Sequence, residues 1–224
     1  IVDGKPTGFI TPLSRAKKTV TAVGNAQITT SSPVKFGSGM GLLDGSGDRF
    51  SITTSSDFGF GTGDFDVEAW IYISDDTGTE SLFDFRAGSD TDNGLHVYFV
   101  DRKPKVYIGN TEILAPNVTL TNTTFYHVSV TRVGNTLSLF IDGLLQQNVV
   151  NTTDLGTTKP LIIGSKFDGS SSDWQGRVDD VRIRKGTGVS SAPGSAPTAP
   201  KVVDQYTVLK LSLIHISEPT RLSR

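Results

Sequence analysis

An all-β fold, with two antiparallel sheets packed as a sandwich, is what this sequence predicts, on three observations. Apolar and polar residues alternate in short runs, Gly, Asp and Asn punctuate the runs, and helix formers never stand together. The composition agrees: 224 residues carry 24 Gly and 12 Phe, while Glu occurs only at positions 68, 80, 112 and 218.

The alternating runs fall at 49–52, 64–73, 80–86, 94–100, 105–108, 125–133, 136–141, 144–150 and 177–184. Asp142-Gly143 separates two of them and predicts a tight hairpin through left-handed backbone, and Gly134-Asn135 does the same one hairpin earlier. In the run 64–73, Phe65, Val67, Ala69, Ile71 and Ile73 form one face. That face is expected in the core, together with Leu139, Ile141, Val181 and Ile183. The opposite face, Asp66, Glu68, Trp70 and Tyr72, is expected to be wet at its acidic end and covered at its aromatic end, with Trp70 in the core or between the sheets.

Bulk properties exclude several classes. A net charge of −2 gives no electrostatic case for nucleic acid or for an anionic membrane. The absence of cysteine removes disulfides, thiolate zinc sites and a cysteine nucleophile together. No apolar run reaches the ~18 residues of a membrane helix.

Four strings then carry a family resemblance: LLDGSGDRFSI (42–52), FGTGDFDVEAWIYI (60–73), FYHVSVTRVGNTLSLFIDG (125–143) and LIIGSKFDGSSSDWQGRVDDVRI (161–183). In this order they resemble the laminin-G-like domains of the concanavalin A-like lectin/glucanase type, in the version repeated in phage structural proteins and large adhesins. Phe125-Tyr126-His127 departs from that pattern, which often has a Trp there. The resemblance implies a jelly-roll sandwich with ligand loops along one rim and a glycan or other host cell-surface partner. It also implies a virion or extracellular location and a calcium ion, for which Asp44, Asp48 and Asp180 are the candidate ligands.

The domain is expected over 17–186, with 1–16 its clipped N-terminal part and 187–204 a Ser/Ala/Gly/Pro linker. Residues 205–210 look like the first strand of a following repeat, so the parent is read as a tandem array. LSLIHISEPTR, at 211–221, looks like a translated sequencing-library adapter, which places 211–224, His215 included, outside the biology. A sandwich lacking its first strand leaves an open edge, and residues 207–211, running on towards Leu213, are expected to dock there as a strand.

For the ligand, Trp174 offers an aromatic platform beside Asp173, and Asp168 opens the same polar loop; Asp90, Asp92 and Asn93 form a second polar loop. The plain alternatives are a Trp that lids the sandwich and aspartates that only build turns. An enzyme is disfavoured: no Glu-x-Asp-x-Glu strand and no Gly-x-Ser-x-Gly elbow occurs. Asp179 and Asp180, as strand neighbours, are expected on opposite faces. Three readings stay open at this point: a carbohydrate-binding or adhesion module, a spacer without ligand, and an accessory domain of a glycoside hydrolase.

Overall fold

The structure, a computed structural model, describes residues 18–74, 77–169, 171–186 and 194–211. Among these there is no helix, and fifteen strands form two antiparallel sheets. Sheet A runs in the order β1 (Val20–Val23), β4 (Arg49–Ser55), β13 (Lys159–Ile163), β6 (Thr79–Asp84), β7 (Leu95–Val100), β8 (Lys103–Ile108), β9 (Thr111–Leu114). Sheet B runs β12 (Leu144–Val150), β11 (Thr136–Ile141), β10 (Phe125–Val133), β5 (Phe65–Ile73), β14 (Gln175–Lys185), β3 (Met40–Asp44), β2 (Gln27–Thr29). A last strand, β15 (Thr207–Leu211), pairs with β14 beyond the end of β3.

The turn chemistry sets the hairpins. Asp142 and Gly143 both have positive φ, 51° and 79°, which matches the right-handed twist of β11 and β12. Asp101 and Arg102 make the same kind of turn between β7 and β8, at 49° and 65°, without a glycine to announce it. The predicted core face is realised: Phe65, Ala69, Ile71 and Leu139 are fully buried, and Val67, Ile141, Val181 and Ile183 join them in one cluster between the sheets.

In β14 the alternation breaks where the register against β5 shifts between Asp179 and Arg182. Asp180 there takes φ 52°, so strict alternation does not govern the Asp179–Asp180 pair. Beyond the bulge β14 turns its free edge to β15, with Val181 opposite Leu211 and Ile183 opposite Leu209. Residues 207–211 thus dock as expected, and Val208 and Leu209 enter the core. Leu213 and the adapter-like 212–224 lie outside the described residues, as do 1–17 and 187–193.

Sheet B is not wet at the acidic end of β5. Glu68 is 1% exposed and Asp66 5%, because residues 194–206 cross the outer face as a strap. A Cβ on Gly143 would meet the Ser195 backbone at 2.4 Å, so the strap passes directly over the β11–β12 turn. Lys201 pairs with Glu68 at 3.2 Å and its backbone N–H donates to Asp180 Oδ2 at 2.9 Å. Arg182 donates to the Val202 carbonyl at 3.1 Å, and Arg184 pairs with Asp204 at 2.7 Å. Arg182 also donates through Nε to Glu68 at 2.5 Å. The described part of the linker, from residue 194, is therefore a roof over a charged layer.

That roof has a pH signature. Burial works against the Glu68 charge, but His127 and the charges of Arg182 and Lys201 outweigh it and lower the pKa to about 2. Burial, reinforced by Glu68, raises Asp66 to about 7 from an ordinary 3.8. The folded chain thus holds this proton more tightly than the unfolded chain does. Its contribution to stability is complete below the ordinary value and is lost as pH rises through about 7. Asp66→Asn, which keeps an acceptor for Ser129, is expected to melt about 2–4 °C higher than wild type at pH 8.5 and level with it only near pH 3, below the ordinary aspartate value; calorimetric scans at the two pH values check this. For the docked strand, Leu209→Ala is expected to cost about 2–3 kcal/mol in a denaturant titration, whereas a strand merely resting on the surface would give almost no change.

Candidate functional site

The outer face of sheet A is open along β4 and β13, where that of sheet B is roofed. In β4, Phe50 and Ile52 turn inward and Ser51 and Thr53 outward; in β13, Leu161 and Ile163 turn inward and Ile162 outward. Between these strands and the loops after β6 and β13 lies a cleft of about 520 Å³. Ser51, Thr53 and Thr54 supply hydroxyls to its wall, Ile162 and Phe167 apolar surface, and Arg86 a guanidinium edge.

The pairing registers continue this face as one transverse row: Ser51, Ile162, Asp84, His96, Tyr107 and Glu112 stand side by side across six strands. His96 stacks on Tyr98 at 4.8 Å, and Tyr98 meets Tyr107 edge-on at 4.9 Å. Burial, helped by the Arg86 and Lys166 charges, holds His96 well below its usual pKa, so it is neutral at pH 7 and shares a 2.7 Å hydrogen bond with Ser81 Oγ. Glu112 accepts from Tyr107 at 3.1 Å and pairs with Lys105 at 2.5 Å.

Asp84, fully buried, fixes the cleft. It accepts from Arg86 Nε at 3.0 Å and Nη2 at 2.6 Å, from the Arg86 backbone N–H at 2.9 Å and from the Phe167 N–H at 3.0 Å. Burial raises its pKa, and only the Arg86 and backbone donors oppose that rise. Arg86 Nη1 donates to Asp90 at 2.7 Å, and the guanidinium carbon lies 5.0 Å from the centre of the Phe167 ring.

Several sequence-predicted residues gather at this rim. Burial works against the Asp90 charge, but Lys166 and Arg86 together hold it below the usual carboxylate range; Asp92 pairs with Lys159, and Asn93 is exposed beside them. Asp168 is exposed next to Phe167, with Ser171 Oγ at 3.4 Å. Asp173 is committed elsewhere, accepting from Gly47 N–H at 2.8 Å and Ser165 Oγ at 2.6 Å.

The structure places Trp174, the three aspartates and Trp70 differently from the sequence reading. Trp174 is no platform: it is 0% exposed, packs edge-on against Phe99 at 5.3 Å and belongs to the core. Asp44, Asp48 and Asp180 do not gather in one place, for among the described residues no three metal-capable side chains converge. Asp48 accepts from Asn25 N–H and Asp44 N–H, Asp44 from Ser46 N–H and Asn25 Nδ2, while Asp180 pairs with Lys210 and Lys201 under the strap. Trp70, expected in the core or between the sheets, is covered, as the aromatic end of its face was expected to be, but lies on the outer face of sheet B, 3% exposed, beside Phe36 and His127.

Sequence reasoning missed Arg86 and Phe167. Their signals were present but faint: an Asp-x-Arg pair at a strand end, and a single aromatic in the otherwise polar loop GSKFDGSSS.

No curated protein matches this sequence. Among solved structures, domain 4 of AbnA, a GH43 extracellular arabinanase from Geobacillus stearothermophilus solved with arabinotriose, superposes with a TM-score of 0.58 at 13% identity, over 75% of this chain and 82% of that one. A candidate carbohydrate-binding protein from Bacteroides ovatus gives 0.56 at 14% identity over 89% of this chain and 53% of that one. Botulinum neurotoxin type C, shown to need interaction with two ganglioside molecules to get into cells, gives 0.50 at 13% identity over 65% and 37%. The chain thus spans about half the length of the Bacteroides protein and well under half of the toxin chain. At such identities the likeness is one of fold. The laminin-G model of the concanavalin A-like lectin/glucanases superfamily, however, matches residues 44–187, well over half of the sequence, and the chain belongs to that superfamily.

Proposed function

We propose that this chain is a non-catalytic carbohydrate-binding module and that the cleft of sheet A receives the sugar. The observation that carries the reading is the pairing of the half-buried Phe167 ring with the hydroxyls of Ser51, Thr53 and Thr54 around one open volume. A sugar ring presents C–H faces to an aromatic and hydroxyls to polar side chains, and a mixed lining of this size suits it. The transverse row beyond the cleft passes through the buried Asp84 and His96, so the proposed sugar contacts are confined to the cleft. That several fold neighbours are themselves carbohydrate- or ganglioside-binding proteins supports the reading.

Catalysis is disfavoured by how the carboxylates are spent. Asp84 and Asp90 both serve Arg86. Asp66 and Glu68, which do share a face, are enclosed with three cations around a void of about 40 Å³, too small for a sugar ring. The parent is proposed to be a surface or virion protein that displays this module outward. Phe167→Ala is expected to weaken binding to glycans selected on an array by about tenfold or more (~1.4 kcal/mol) with an unchanged melting temperature. Undiminished binding in that variant would remove the cleft from the reading.

A further inference from the structure

The outer face of sheet B holds a second feature, remote from the cleft and unrelated to sugar hydroxyls. The Lys35 ammonium, on the loop between β2 and β3, lies 3.5 Å from the centre of the Trp70 ring, 5.4 Å from Phe125 and 5.7 Å from Phe36. Phe36 stands at 87° to Trp70, 6.0 Å away, so the rings wall the cation from different sides. Three aromatic neighbours around one ammonium exceed the single ring of an ordinary surface cation–π pair.

The chemistry of this box does not suit its occupant. A primary ammonium carries three N–H donors and is strongly hydrated. Among the described residues Lys35 Nζ has no hydrogen-bond acceptor, only ring faces. Burial lowers its pKa, and the nearby Asp142 charge offsets that only in part. Ring faces with a carboxylate in electrostatic range, and no acceptor to receive an N–H, match an ammonium that has no N–H to give. The indole N–H of Trp70, though buried, is likewise without a partner.

The loop does not depend on the lysine side chain. Arg177 Nη1 donates to the carbonyls of Ser31 and Pro33, each at 2.5 Å, and Nη2 to that of Ser32 at 3.2 Å. The Lys35 backbone N–H meets Met40 Sδ at 3.3 Å. The side chain is therefore free to swing out while the walls stay in place.

We propose that Phe36, Trp70 and Phe125, with Asp142 alongside, form a receptor box for a quaternary ammonium group of the choline type, which enters by displacing the Lys35 side chain. Lys35 fills the box in the absence of ligand and competes with it. The site is independent of sugar binding at the cleft.

Titration of choline chloride into the full chain, followed by tryptophan fluorescence and calorimetry, tests this. Trp70 reports directly, since the one other tryptophan, Trp174, is sealed in the core. The expected result is saturable binding to wild type, at least tenfold tighter binding to Lys35→Ala, and at least tenfold weaker binding of the neutral isostere 3,3-dimethylbutanol to either protein. Lys35→Met, which retains the stem without the charge, gives the same comparison should Lys35→Ala melt early. Phe167→Ala is expected to bind choline as wild type does, which separates failure of this proposal from failure of the glycan reading. Equal affinity for the neutral isostere would reduce the box to an apolar dimple. Choline binding confined to the Lys35 variants would make Lys35 a permanent occupant. Either result overturns the proposal.

Discussion

Asp84 is a carboxylate with no solvent contact at the end of β6, and the open face of the sandwich is arranged around it. A buried anion is tolerable only when its lone pairs are filled by well-placed donors. Here the donors are Arg86 and the Phe167 backbone, so satisfying the charge also fixes the guanidinium and the aromatic that wall the cleft. Such charge-assisted, two-pronged pairing adds geometric definition as well as energy. Removing the carboxylate alone would leave Arg86 without its closest partner and the Phe167 loop without its anchor, so cleft shape and core integrity at this end of β6 cannot be separated.

The two outer faces of the sandwich solve opposite problems. On sheet A the outward-facing residues around the cleft remain reachable, although Asp84 and His96 further along the same row are buried. On sheet B strand alternation places Asp66, Glu68, Arg182 and Arg184 outward, but the strap converts that surface into an interior. A layer of matched charges is costly to bury and adds little net stability. What it does supply is alignment: Arg182 and Arg184 of β14 each have a defined partner on β5 or on the strap, so residues 201–204 meet the sheet in one position.

The fold was legible because period-two patterning and turn residues are local signals, and both were strong in 64–73 and at Asp142-Gly143. Trp174 could also have been read correctly: it shares parity with Val178, a core residue of β14, the strand that begins immediately after it, and alternation sends both inward. The polar loop before it argued for solvent and was given too much weight. Trp70 failed for the opposite reason, since its parity with Asp66 and Glu68 points outward and only a distant loop buries it. Asp44, Asp48 and Asp180 were drawn together by family likeness, and sequence spacing held no information against it. The cleft was half visible: Asp90, Asp92 and Asn93 mark its rim, but its wall joins residues 51–54, 86 and 167, which only the crossing of β4, β13 and β6 brings together.

The central ladder of sheet B has a consequence for how the chain is made. β5 pairs with β10 on one side and β14 on the other, and Gly176 lies opposite Ile73, roughly a hundred residues away along the chain. During synthesis β5 leaves the ribosome long before β14 exists, with one face built for a core and the other for a charged layer. Until the segment around 175–185 emerges, that strand keeps one edge open, and the last closure, by β15, waits for residue 211. Folding is therefore gated by translation: slow, dominated by long-range pairing, and finished from the C-terminal side.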